Sequence, residues 1–443
     1  MALSGLDIYK LLPKTNCREC GFPTCLAFAM QLAKKAVDLA KCPHLSPEVK
    51  KALEESSLPP IRLVTVGTGE EKLAVGNETI LFRHEEKFFN PCGIGFILED
   101  SLSDDELKEK LSRIHQLRFE RVGQEMKVNL IAIKQTKDKR RFAQVTKDIA
   151  AQTQLPLCLV SDEPEALRAS LELVKETRPL LYGASSKNLQ TFAELAKEFN
   201  LPLVVSESDL EKLAGLTKEL NSLGVNDLIL DTTAKSIPDK LWDSTQIRRL
   251  ALKKSLRSLG YPTLVVVEET DPYAQAIAAA TFISKYAGIV LMSGIEAWQI
   301  LALLTLRQNI YTDPQKPLQI EPKLYAVGQV SNKSPVLITT NFSLTYYTVL
   351  GEVEASKVPS YIVSVDTEGM SVLTAWAAEK FTAEKITESL KKFSVPDTVS
   401  HKRLVIPGYV AVISGDLEDH SGWQVVVGPK EASGIPQFLK NLS

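Results

Sequence analysis

Residues 157–175 read L-C-L-V-S-D-E-P-E-A-L-R-A-S-L-E-L-V-K, and a change of rhythm inside them sets the fold. Leu157–Val160 is a short continuous apolar run, as in a strand buried on both faces. From Pro164 to Lys175 the apolar residues Ala166, Leu167, Leu171 and Val174 recur at helical spacing and form one face. A buried strand followed by an amphipathic helix is one βα unit. The unit repeats on either side, with strands expected at Ile94–Leu98, Val128–Ile133, Leu180–Gly183, Leu203–Val205, Leu228–Leu230, Leu264–Val267 and Ile289–Met292. Eight units in a span near the roughly 250 residues typical of a (β/α)8 barrel predict a closed, TIM-like barrel. An open doubly wound sheet uses similar units and stays the alternative.

Chemistry in such a barrel sits at the carboxyl ends of the strands. The acids near those positions are Asp100, Asp162, Asp231, Glu268 and Glu269, with no histidine beside them; His115 falls inside a helical run. No nucleophile–base pair emerges, so these acids read as helix caps and loop-solubilising groups. The barrel reads as a docking scaffold. Cys92, in N-P-C-G-I-G, and Cys158 read as small buried hydrophobes.

Upstream, Arg62–Val66 and Thr79–Arg83 read as a hairpin cap, and 56–60, S-S-L-P-P, as a hinge. Downstream, Pro314, Pro317 and Pro322 interrupt the chain. Strands are expected at Leu324–Val327, Val336–Thr339, Tyr361–Val365, Val410–Ile413 and Gln424–Val427. Helices are expected at Ser343–Val353, Met370–Lys380, Ala383–Phe393 and Gln437–Leu442. This alternation predicts a doubly wound α/β sheet whose ligand lies beyond the strands' carboxyl ends. Loops 339–341 (T-T-N), 367–371 (T-E-G-M-S) and 431–434 (E-A-S-G) occupy such positions, and Thr374, Ala375, Ala377 and Ala378 offer a surface of small residues. The domains are therefore read as 1–58, 59–318 and 323–443.

Four of the chain's six cysteines fall in its first 42 residues: Cys17, Cys20, Cys25 and Cys42, with gaps of two, four and sixteen residues. Without a secretory signal, thiols this dense point to a metal rather than to disulfides. Iron–sulfur clusters accept an uneven set of four thiolates whose last member is distant and followed by proline, as in Cys42-Pro43. Structural zinc favours two short-spaced knuckles, and only one C-x2-C is present; zinc nevertheless stays open at this point. Pro13 ends a helix at Leu6–Leu12, and Thr24 caps a helix over Leu26–Ala36 with Cys25 in its first turn. The positive helix end there favours a thiolate.

A net charge of −2, with Lys and Glu evenly spread, argues against nucleic acid as a partner. No apolar run approaches the roughly 20 residues that span a bilayer, and Met1–Lys10 lacks a basic, apolar leader pattern. A cytoplasmic, anaerobic or strongly reducing setting is expected.

The N-C-R-E-C-G-F-P-T-C…K-C-P start, the eight-unit middle and the Thr/Gly-rich end together resemble the large (gamma) subunit of the corrinoid iron–sulfur protein of the acetyl-CoA pathway, also called the acetyl-CoA decarbonylase/synthase gamma subunit. The resemblance covers essentially the whole chain. It implies a [4Fe–4S] domain, a TIM-like barrel and a cobalamin-binding α/β domain, in that order. Cys17, Cys20, Cys25 and Cys42 would hold the cluster. Thr340, Tyr346, Gly369, Met370, Ser371, Val372, Leu373, Thr374 and Gly434 would line the corrinoid, Thr374 facing the cobalt. The implied role is a methyl carrier. Cob(I)amide takes methyl from methyltetrahydrofolate through a methyltransferase, and the methyl-Co(III) form passes it to acetyl-CoA synthase/CO dehydrogenase. The cluster returns stray Co(II) to Co(I). A small barrel subunit completes a heterodimer over the corrinoid. Many B12 proteins supply an axial histidine from Asp-x-His-x-x-Gly, and this chain has none. Asp419-His420-Ser421-Gly422 has the wrong spacing and reads as a surface turn, so a base-off corrinoid without a protein axial ligand is expected. The rival readings are a folate-binding barrel methyltransferase and a zinc-stapled scaffold.

Overall fold

The structure is a computed structural model that describes residues 5–33, 36–46, 49, 50, 53, 58–233, 236–313 and 317–442. Residues 34–35 of the expected second helix, Ser56 and Ser57 of the expected hinge, and Pro314 lie outside the described residues. The chain forms two compact units, Met1–Arg118 with Lys127–Tyr311, and Phe119–Met126 with Thr312–Ser443. The boundary near residue 311 lies close to the proline-marked break. The excursion of 119–126 into the second unit is not a feature that hydrophobic rhythm carries. Among the described residues no helix is long and apolar enough to cross a membrane.

In the first unit, helices α1 (Gly5–Leu11) and α2 (Cys25–Ala33) pack through Ile8, Leu12, Phe28 and Ala29. Pro13 follows α1, as expected. Thr24 caps α2: its Oγ1 accepts from the Ala27 N–H at 3.1 Å, which leaves Cys25 in the first turn.

Eight parallel strands then follow: β1 (Gly93–Glu99), β2 (Leu130–Lys134), β3 (Leu157–Val160), β4 (Leu180–Ala184), β5 (Leu203–Ser206), β6 (Leu228–Asp231), β7 (Leu264–Val266) and β8 (Ile289–Met292). They pair in the order β6-β5-β4-β3-β2-β1-β8-β7. One bridge, Leu230 to Thr263, joins the ends, with the Leu230 N–H donating to the Pro262 carbonyl at 2.9 Å. The result is a nearly closed barrel. The helices that follow the strands are α3 (Asp104–His115), α4 (Lys139–Ala150), α5 (Pro164–Val174), α6 (Leu189–Phe199), α7 (Leu210–Ser222), α8 (Ile237–Lys254), α9 (Pro272–Ser284) and α10 (Ala297–Tyr311).

A hairpin closes one end of the barrel core. Val64–Val66 pairs antiparallel with Leu73–Val75, and their buried side chains pack with Leu130, Leu180, Ile229 and Ile289. This corrects the expected second strand, Thr79–Arg83. There the Leu81 and Phe82 amides donate to Glu85 Oε2 at 3.2 and 3.1 Å, so the segment bends around a carboxylate instead of extending.

The second unit is a five-stranded sheet of β9 (Leu324–Val327), β10 (Val336–Thr340), β11 (Ser360–Val365), β12 (Arg403–Ile406) and β13 (Gln424–Val427), ordered β9-β11-β10-β12-β13. Only β9 is antiparallel. Helices α11 (Ser343–Ser356) and α15 (Ile435–Leu442) cover one face, while α12 (Val372–Ala377), α13 (Ala383–Lys392) and α14 (Ser414–Ser421) cover the other. Thus the doubly wound expectation describes the topology. The expected strand Val410–Ile413 is instead a tight helical turn within Gly408–Ile413; β12 lies just before it and ends at Pro407, which has no N–H to continue the ladder. The expected helix at Met370–Lys380 shortens to α12. Gly369, at φ +75°, and the Thr367 Oγ1 bond to the Met370 carbonyl make a turn before it, and Glu379 turns left-handed after it.

Candidate functional site

Loop 13–24 and helix α2 gather the N-terminal thiols. Cys20, Cys25 and Cys42 belong to one apolar cluster with Ile8, Leu12 and Phe28, and Cys25 is buried. Burial raises the Cys42 thiol pKa; a backbone hydrogen bond at His44 opposes this, while the charges of Cys20, Cys25 and Cys17 raise it further. Cys42 therefore stands near enough to the other three thiols to feel their charge. The described residues contain one tight ligand trio, Cys17 with Glu19 and His44, within 4.8 Å; no three of the four cysteines lie that close together. A single tetrahedral zinc at about 2.3 Å from each sulfur would need ligand sulfurs about 3.8 Å apart.

A second site lies in the second unit. Strand order reverses between β10 and β12, the switch point at which doubly wound sheets bind ligands. Those two strands share a single register pair, Leu337 with Val405, whereas β10 and β11 pair through Thr340. Beyond Leu337 the sheet opens into a cavity of about 420 Å³. Its walls come from β10 (Leu337, Ile338, Thr339), α11 (Leu344, Thr345, Thr348, Val349), loop 371–373, loop 405–409 and loop 428–435. The walls are largely apolar. Leu344, Leu373 and Tyr409 on the walls are about half exposed. The Thr339 hydroxyl is buried and has no hydrogen-bond partner, as are those of Thr340 and Ser364. Leaving a buried hydroxyl unpaired costs about 1–3 kcal/mol, so each marks a place short of a donor or acceptor, and of the three only Thr339 lines the cavity.

Asn341 organises the loop beside this cavity. Its Oδ1 accepts from the Thr367 N–H (2.9 Å), the Thr367 hydroxyl (3.0 Å) and the Gly369 N–H (3.0 Å). Gly369 is required twice over: its φ is +75°, and a Cβ would stand 2.6 Å from Gln319 Cγ. Gly408 permits the other loops to meet, because a Cβ there would lie 2.5 Å from the Gly428 carbonyl oxygen.

Of the residues nominated for the corrinoid, Ser371, Val372 and Leu373 line the cavity. Gly369, Met370 and Thr374 belong to the same loop and helix without lining it; the Thr374 and Ser371 hydroxyls are 3.0 Å apart and Thr374 is exposed. Gly434 lies between wall residues Ala432 and Ile435. Two more of the nominated residues are not among the wall residues. Thr340 follows wall residue Thr339 at the end of β10 and is buried. Tyr346 faces away on α11: positions 344, 345, 348 and 349 line the cavity, while the Tyr346 ring lies tilted against Tyr325, centroids 4.6 Å apart, and is buried. Burial raises its hydroxyl pKa. Sequence reasoning missed Pro407, Tyr409, Pro429 and Lys430. The P-G-Y and G-P-K strings were the available signal, hidden by the misplaced strand at 410–413.

Two of the barrel's carboxyl-end acids, Asp100 and Asp231, are already engaged within the protein. Asp100 Oδ1 accepts from Thr136 N–H (2.7 Å), Thr136 Oγ1 (2.6 Å) and Lys137 N–H (3.0 Å). Asp231 accepts from Tyr182 OH (2.6 Å), Ser206 Oγ (3.1 Å) and Thr233 N–H (3.0 Å). Asp162 and Glu268 are exposed, and Glu268 lies 3.8 Å from Lys240 Nζ. Cys92 and Cys158 are fully buried, and burial pushes the Cys92 thiol up to about 12. His420 is not in a turn but in the last helical turn of α14, donating to the Asp416 carbonyl at 2.7 Å and lying 3.3 Å from Glu384.

Residues 12–44 match the family described as a putative Fe–S cluster, and residues 63–439 match the CO dehydrogenase/acetyl-CoA synthase delta subunit family. The corrinoid/iron–sulfur protein large subunit of Moorella thermoacetica is 46% identical over 441 residues, covering 99% of both chains. The chain belongs to the corrinoid/iron–sulfur protein large-subunit family. The acetyl-CoA decarbonylase/synthase complex subunit gamma of Methanothermobacter thermautotrophicus is 37% identical and covers all of both chains. Subunit gamma 1 of Methanosarcina thermophila is 35% identical over 99% of this chain and 98% of its own. The large-subunit family match thus spans the thiol loop, the barrel and the α/β sheet together.

Proposed function

We propose that this large subunit carries a methyl group on a corrinoid held by the second unit, and that a [4Fe–4S] cluster on Cys17, Cys20, Cys25 and Cys42 keeps that corrinoid reduced. The observation that carries the reading is the presence, in one chain of this family, of four clustered thiols, three of them in an apolar core, and an open α/β cavity at the strand-order reversal. The donor sets fit both groups. The thiols spread more widely than one zinc ion bridges, which favours a cluster. The cavity offers apolar walls to a flat macrocycle and an unpaired Thr339 hydroxyl to its polar fringe.

When bound, the corrinoid supplies a cobalt that accepts and releases methyl, and the cluster supplies single electrons. The residues of the chain position and tune. Ser371, Val372 and Leu373 would hold the corrinoid along one wall, and the exposed Thr374 beside them is the residue that would face the cobalt. Asn341 holds that loop in place through its three accepted hydrogen bonds. Among the described residues no histidine lines the cavity, and both histidines of the second unit are tied elsewhere: His401 donates to the Ser334 carbonyl at 3.0 Å, and His420 is bound on α14. This supports a base-off corrinoid without a protein axial ligand. The half-exposed Leu344, Leu373 and Tyr409 on its walls fit a cover supplied by the small subunit. The methyltetrahydrofolate methyltransferase and acetyl-CoA synthase/CO dehydrogenase would be donor and acceptor, in the cytoplasm. The folate-binding alternative is disfavoured because Asp100 and Asp231 already spend their oxygens inside the protein.

The test is the iron, acid-labile sulfide and cobalt content of the protein purified without oxygen together with its small partner. Four irons and four sulfides with about one cobalt are expected; zinc in their place would overturn the reading.

A further inference from the structure

Between α1 and α2 the backbone does something costly. Lys14, Asn16 and Arg18, none of them glycine, take left-handed φ values of 59°, 49° and 67°, and Gly21 follows at 83°. Side chains with a Cβ resist this region, so three at alternate positions need a reason. Alternating left-handed residues gather successive amide N–H groups into concavities that hold anions, iron–sulfur clusters among them.

Asn16 is the clasp of this loop. Its side-chain Oδ1 accepts the Cys25 N–H at 2.8 Å, and its own N–H donates to Cys25 Sγ at 3.4 Å. The two bonds form a reciprocal pair across nine residues, linking the segment that carries Cys17 to the first turn of α2. Asparagine suits both tasks: it tolerates the left-handed region better than most residues, and its amide oxygen accepts without adding charge.

We infer that Asn16 is a positioning residue for the cluster, its side chain holding its own amide N–H against the Cys25 sulfur. This rests on the iron–sulfur reading above. Taking up one electron adds one negative charge to the cluster, shared by its sulfurs, and an N–H aimed at a sulfur stabilises that reduced form. The clasp therefore raises the cluster's reduction potential. Glycine at this position would keep the backbone conformation accessible while losing the side-chain anchor.

The experiment uses full-length protein labelled with ¹⁵N-asparagine, its cluster reduced, and pulsed electron paramagnetic resonance. The next asparagine in the chain is Asn77, beyond the cysteine module, so a ¹⁵N coupling at the cluster reports Asn16. A resolved coupling is expected, together with a more negative midpoint potential in Asn16→Gly. A normal cluster signal without ¹⁵N coupling overturns the inference alone. So does an unchanged potential in Asn16→Gly. Absence of any cluster signal in the wild-type protein overturns the iron–sulfur reading and the inference with it. If Asn16→Gly fails to assemble a cluster, the coupling in the wild-type protein decides.

Discussion

Asp231 is nearly inaccessible to solvent and receives hydrogen bonds from Tyr182, Ser206 and Thr233. Burial raises its pKa, and the bonds from Tyr182, Thr233 and Ser206, with the charge of Lys240, pull it back down. The net folded value stands above the unfolded one. Ionisation therefore opposes folding: the penalty is absent below the ordinary carboxylate pKa, about 3.9, and complete above the raised one. Tyr182→Phe deletes one donor and raises the folded value further. Its deficit in urea unfolding should widen as pH rises through that window, reaching about 1–3 kcal/mol at neutral pH. A deficit independent of pH would show that Tyr182 matters only for packing. At the thiol cluster, Cys20→Ala should lose the cluster's iron and its visible absorption. Methyl uptake by chemically reduced protein should persist, while reactivation dependent on an electron donor disappears. Normal reactivation in that variant would remove the cluster from the cycle.

At the level of elements, β3 and α5 stand at the ends read from residues 157–175 to within a residue, because strand and helix periods differ sharply there. The thiol loop was equally plain, since spacing and turn residues are local. Legibility failed where an interaction distant in sequence, or a proline, decided the backbone. Thr79–Arg83 has strand composition but bends around Glu85, and Val410–Ile413 lost its strand to the run before Pro407. The cavity was only half visible for the same reason: loops 407–409 and 428–430 meet through Gly408 and Gly428, an approach no single stretch announces. Ala432 stands on that wall, where a large side chain would fill the space. Ala432→Trp should lower the cobalt content of purified protein by about tenfold, equivalent to about 1.4 kcal/mol of binding, and leave iron unchanged. Equal loss of both metals would mean general misfolding.

For the whole molecule, the barrel is held unequally around its circumference. Neighbouring strands elsewhere share three to five register pairs, but β6 and β7 meet at one bridge. Local opening is cheapest where fewest bonds must break. Hydrogen exchange followed by mass spectrometry should find the Leu230 amide exchanging ahead of Ile131 and Leu181, whose N–H groups also donate across strands. Uniform protection around the ring would mean that the seam is as firm as the rest.

Residues 119–126 carry an unusual obligation. They leave the ribosome about 190 residues before the rest of their unit begins at Thr312. At about 5–20 residues per second that delay lasts on the order of ten to forty seconds. Gly123 meanwhile has no Tyr347 to lie against. A fragment starting at 312 would lack this arm permanently, so severing the polypeptide at its apparent joint would not liberate an intact half.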